Sequence, residues 1–75
     1  YTSDQLKKLG LNDRQIKAVL FVKENTRITN REYRDLNNIS DEGARIDLND
    51  LVRKEILVPM GSGRNSHYLL KSIGN

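Results

Sequence analysis

Ile28–Val58 reads ITNREYRDLNNISDEGARIDLNDLVRKEILV, and the fold is decided inside it. Thr29 followed three residues later by Glu32 forms a capping box, in which each side chain takes up a backbone N–H that the helix start leaves open. Ile28 and Tyr33 stand at the flanking staple positions, so a short helix is predicted through about Asn37, with Leu36 as an inward anchor. Ser40 is a second cap. Ile39 and Ala44 take its staple positions, and Asp41 and Glu42 lie where the helix dipole favours carboxylates. That helix is expected to end near Lys54. Beyond it the apolar period shortens. Ile56-Leu57-Val58 and His67-Tyr68-Leu69-Leu70, on either side of Gly61-Ser62-Gly63, read as the strands of a β-hairpin. Two closely spaced helices followed by a hairpin are the arrangement of an α+β winged helix-turn-helix, three helices with a C-terminal β-hairpin wing once the upstream helix is added.

That upstream helix is marked by Asn12 with Gln15, and by Leu11 and Ile16 as staple residues. It is predicted over Asp13 to Asn25, burying Leu11, Ala18, Val19 and Val22 along one side. Ile16 and Leu20 lie four apart on another side. Leu6 and Leu9 of the preceding segment are their expected cover, and the functional alternative is a self-association or docking surface at Leu20. Arg27-Ile28-Thr29 offers a third, very short strand. Pro59 has no N–H to donate, so its strand needs an open edge. The expected organisation is an N-terminal extension over 1–10 containing a turn or two of helix, the winged domain over 11–70, and a tail over 71–75.

Seventy-five residues make one small domain, and Leu, Ile, Val and Phe supply 21 of them, enough for a modest core. With no Cys and a single His, disulfide frameworks and Cys/His zinc sites are excluded, and His67 has no companion ligands in the sequence pattern. No nucleophile, base and orienting acid recur at a catalytic spacing, and Gly61-Ser62-Gly63-Arg64 lacks the length and the Lys-Ser/Thr of a phosphate-binding loop. A non-enzyme with no cofactor and no metal is expected. There is no apolar run near the roughly 20 residues of a membrane span and no signal-peptide pattern, so the expected setting is cytoplasmic, without membrane contact. The triplet Asn38-Ile39-Ser40 matches a glycosylation acceptor by chance in such a setting.

Leu11-Asn12-Asp13-Arg14-Gln15, Ile28-Thr29-Asn30-Arg31-Glu32-Tyr33, Ala44, Asp47-Leu48-Asn49-Asp50-Leu51-Val52, Ile56-Leu57, Gly61 and Gly63-Arg64 occur in an order that resembles a bacterial winged-helix module. The chain is similar over about residues 11 to 70 to the C-terminal domain of transcriptional regulators related to the RecG-type helicase, and more distantly to repressors of the deoxyribose-operon type. The resemblance implies that the third predicted helix is the recognition helix, with Asp47-Leu48 as its acidic-leucine pair. It also implies that the hairpin is the wing, with Gly61 to Arg64 at its tip. Those relatives often carry basic or hydroxyl side chains where this chain has Asp41, Glu42, Gly43 and Ile46.

At 100° per residue, Ala44, Leu48, Leu51 and Val52 form the core stripe of that helix, and Glu42, Ile46, Asn49 and Arg53 face outward, flanked by Arg45 and Asp50. On DNA, Asn49 would suit an adenine edge, Arg45 a guanine or a phosphate, and Ile46 a thymine methyl. Charge complicates this reading. The net charge of +3 divides into +4 over residues 14–34, −3 over 35–55 and +2 from 56 onward. Thr29, Asn30, Arg31 and Arg34 on the second helix, with Arg64, Asn65 and His67 on the wing, are therefore the expected backbone contacts, and Arg64 the one suited to a minor groove. Tyr33 and Tyr68 are either base-stacking residues or core packing. The expected function is a DNA-binding module of a transcriptional regulator, with double-stranded DNA as partner. The alternative is a protein-interaction or dimerisation winged helix using Leu20 and Ile46, its partner a second copy or another domain of a longer chain.

Overall fold

Four capped helix starts organise the chain, whose computed structural model describes residues 2–71. Thr2 opens α1 (Ser3–Lys8) with a capping box closed by Gln5. Asn12 opens α2 (Asp13–Asn25): its Oδ1 accepts the Gln15 N–H at 2.8 Å, and Gln15 Oε1 accepts the Asn12 N–H at 3.0 Å. Thr29 and Glu32 exchange the same pair of bonds, at 3.1 and 2.9 Å, to open α3 (Asn30–Asn37). Ser40 Oγ accepts the Gly43 N–H at 3.1 Å at the start of α4 (Asp41–Arg53). The turn between α3 and α4 begins with Asn38 in the left-handed region (φ 52°), a conformation asparagine tolerates.

Three strands complete the fold: β1 (Arg27–Ile28), β2 (Leu57–Met60) and β3 (His67–Leu70). They form one antiparallel sheet in the order β1-β3-β2, with Ile28 opposite Tyr68 and Val58 opposite Leu69. β2 lies on the edge, as Pro59 requires. It begins one residue later than expected, because the Ile56 N–H still closes the end of α4, donating to the Leu51 carbonyl at 2.9 Å. This is a helix-turn-helix of α3 and α4 followed by a β2–β3 hairpin, the topology of a winged helix.

The core draws fully buried apolar side chains from nearly every element, among them Leu6 of α1, Val19 of α2, Ile28 of β1, Tyr33 of α3, Leu48 and Leu51 of α4, and Leu57 of β2. Tyr68 and Leu70 of β3 pack against it. Within residues 1–10, α1 is the expected turn or two of helix, and its Leu6 is part of the core. Ile16 is buried in the same cluster and Leu20 packs against it, whereas Leu9, the second expected cover, stays 49% exposed. Leu9 falls at the α1 C-cap, where the chain turns through Gly10 (φ 85°). Of the predicted tail, Lys71 extends the sheet and 72–75 lie outside the described residues, as does Tyr1. Among the described residues no helix is long and apolar enough to cross a membrane.

Candidate nucleic-acid interface

One carboxylate ties α2, α3 and α4 together. Asp47 of α4 is only 5% exposed. Its Oδ2 lies 2.6 Å from Arg14 Nε of α2 and accepts the Tyr33 hydroxyl of α3 at 2.8 Å. Its Oδ1 accepts from Arg14 Nη2 at 3.2 Å and Asn12 Nδ2 at 3.3 Å. Gln15, itself buried, donates through Nε2 to the Asp47 carbonyl at 3.0 Å and to Asp50 Oδ2 at 2.9 Å. Burial by itself would raise the Asp47 carboxyl, but the hydrogen bonds from Arg14, Tyr33 and Asn12 outweigh it and hold the group below the usual carboxylate range. Burial, then donation to Asp47, pushes the Tyr33 phenol well above its ordinary value. The hydrogen bond to Asp47, reinforced by its charge, raises Arg14. Tyr33 is therefore a core residue with a polar tip, removed from any stacking role.

This arrangement changes the charge that α4 presents outward. The sequence reading counts Asp47 among the acids of α4, yet it points inward to Arg14. Asp50 Oδ2 takes Lys54 Nζ at 3.0 Å, and the Gln15 donor followed by Lys54 holds Asp50 below its ordinary value. Asp41 Oδ2 takes Arg45 Nε at 3.0 Å, one turn on. Glu55 takes Lys71 Nζ at 2.5 Å, which lowers its carboxyl and removes Lys71 from the wing's charge. Each of these four acids has a cation of its own domain. Glu42 is the remaining acid of α4, exposed beside Ile46 (63% exposed), Asn49 and Arg53. The outward row expected from helical periodicity is the row the structure exposes, while Arg45, expected as a base or phosphate contact, is committed to Asp41.

On α3, Thr29 is occupied as the helix cap and Arg31 projects into solvent. Asn30 and Arg34, four apart on one side of α3, are half-buried. Their Oδ1 and Nε atoms are the buried side-chain polar atoms left without a hydrogen-bond partner among the described residues. Across the wing, Gly63–Asn65 form a 3-10 turn that carries exposed Arg64. His67 Nδ1 lies 2.6 Å from the Asn65 carbonyl, which can only accept, so the ring braces the tip from within and Nδ1 carries the hydrogen. Gly61, at φ 74°, passes so close to the Asn65 carbonyl that a Cβ there would overlap it. His67 and the Asn65 backbone thus shape the wing, and the Arg64 side chain and the Asn65 amide remain outward.

Elsewhere, Leu20 is half-buried against the core, and a shallow apolar recess between α2 and α3 is lined by Phe21 and Leu36 with Glu32 and Asp35. No group of three or more potential metal-ligating side chains gathers among the described residues. No protein-family model matches the chain, and no curated protein matches it in sequence.

Proposed function

We propose that this chain is a non-catalytic, DNA-binding winged-helix module of a bacterial transcriptional regulator. The observation that carries the reading is the internal pairing of the α4 carboxylates. Asp41, Asp47 and Asp50 are matched by Arg45, Arg14 and Lys54, so the helix offers Ile46, Asn49 and Arg53 to a groove with Glu42 as its one unpaired acid among the described residues. Arg31 and Arg64, exposed on α3 and the wing, supply phosphate contacts. Arg34 and Asn30 stand half-buried beside Arg31.

A salt titration of binding to labelled duplex DNA by fluorescence anisotropy tests this. The expected Kd is tighter than about 10⁻⁴ M at low salt, and it weakens as salt rises. Arg31→Ala and Arg64→Ala should each weaken binding on every sequence and flatten the log–log salt slope by about one unit. Binding no tighter than about 10⁻⁴ M at low salt would reject the reading.

One observation favours a second reading: Ile46 is a large apolar side chain, 63% exposed, in the middle of the outward face. In a protein-interaction or dimerisation module it would be the anchor, with Leu20 contributing less because it already packs on the core. Sedimentation across a concentration series, comparing wild type with Ile46→Glu and Leu20→Glu, separates the cases. A wild type that stays monomeric throughout removes the homodimer.

A further inference from the structure

Ile46 and Asn49 are both exposed and stand three residues apart on α4, so their Cβ atoms lie about 5–6 Å from each other. That separation suits one base pair or two successive pairs, which stack about 3.4 Å apart. In the major groove a branched aliphatic side chain has one complementary base group, the thymine methyl. A carboxamide pairs its donor and acceptor with N7 and N6 of adenine. Both side chains therefore select A·T pairs.

Two arginines on this helix suit guanine: Arg53 lies at its C-terminal end, one turn beyond Asn49, and Arg45, next to Ile46, has its Nε 3.0 Å from Asp41 Oδ2. An exposed pair of this kind is weak in itself. Swinging the guanidinium to a guanine, however, would leave the Asp41 carboxylate unpaired beside the phosphates. We infer that the middle of α4 reads A·T pairs, with Ile46 on a thymine methyl and Asn49 on adenine, and that Asp41 withholds the neighbouring Arg45 from guanine there. The inference rests on the DNA-binding reading above and names the class of site it takes.

Selection of the 75-residue chain on a randomised duplex library, repeated with Ile46→Ala and Asn49→Ala, tests it. Ile46, Asn49 and Asp41 are all exposed, and circular dichroism checks that their variants fold. The positions whose preference the variants alter are expected to be A·T in the wild-type selection. Replacing the thymine there by deoxyuridine removes one methyl and should weaken wild-type binding about fourfold, with no effect on Ile46→Ala. Asn49→Ala should lose about tenfold of adenine preference. Asp41→Asn, which releases Arg45, should admit guanine at a neighbouring position. G·C at the altered positions, binding without sequence enrichment, or indifference of the wild type to the missing methyl would each overturn the inference while leaving DNA binding in place. Absence of any binding would overturn the DNA-binding reading and this inference with it.

Discussion

At the residue scale the fold turns on Asp47. Arg14 is nearly half exposed (47% of its side chain), so it regains water when its partner is lost, whereas the fully buried Tyr33 hydroxyl does not. Removing the carboxylate should therefore cost chiefly the unsatisfied phenol. Asp47→Ala is expected to lose about 2–3 kcal/mol in denaturant unfolding, near the upper range for an orphaned buried donor. Tyr33→Phe, which deletes the donor but leaves Arg14 and Asn12 on the carboxylate, should cost about 1–2 kcal/mol. Because Tyr33→Phe removes the orphaned hydroxyl, it should recover much of the loss in the Asp47→Ala background. Additive losses in that cycle would contradict the account. The inward aim of Asp47 is only partly legible in the sequence. On a helical projection it stands about 40° from Leu51, at the flank of the core stripe, which is the available signal. Which cation meets it depends on how α2 crosses α4, a long-range relation that periodicity does not contain.

Elements were legible in proportion to how local their chemistry is. The caps at Asn12, Thr29 and Ser40 involve side chains three residues from their targets, and all three helices start there. The Thr2–Gln5 box is equally local, and it places the start of α1 two residues into the chain. β1 is set by pairing with residues 68 and 69, so its two residues could only be suggested by β-branched composition. Thr26, at the α2 C-cap, has φ 80° and ψ −39°, an unfavourable conformation for a β-branched residue. Thr26→Gly should stabilise the domain by about 1 kcal/mol and raise Tm by about 4–8 °C, and an unchanged or lower Tm in a thermal melt would refute the strain. In the wing the opposite holds. Gly61→Ala drives a Cβ into the Asn65 carbonyl and should displace the Gly63–Asn65 turn. DNA affinity should then fall to the level of Arg64→Ala, while the amide signals of α2 and α4 keep their positions. Loss of those signals as well would mean that the wing is integral to the core.

For the whole molecule, charge is organised by pairing as well as by position. Counting residues along the chain makes the α4 segment negative, but the counting assigns each acid to the element that carries it. In the fold, Asp47 is matched from α2 and Glu55 from Lys71 at the end of β3, and neither match can be read from spacing. The same pairs set the pH response. Asp47, Asp50 and Glu55 are all held below their ordinary values in the folded state. A carboxyl that is more acidic when folded contributes stability that is complete above its unfolded value, about pH 4, and is lost as pH falls through the folded value. Unfolding free energy should be level between about pH 5 and 8 and drop below about pH 4, with a shallower drop in Asp47→Asn. An equal drop in that variant would contradict the role given to Asp47.

The central claim is that α4, the start of α3 and the wing form one face for duplex DNA. Amide chemical-shift mapping on a uniformly ¹⁵N-labelled sample titrated with duplex DNA tests it most directly. The account predicts that the signals of Arg31, Ile46, Asn49 and Arg64 move together and saturably, while those of Phe21 and Leu36 at the α2–α3 recess stay in place. A titration that leaves Asn49 and Arg64 unmoved, or that moves only the recess, would contradict it.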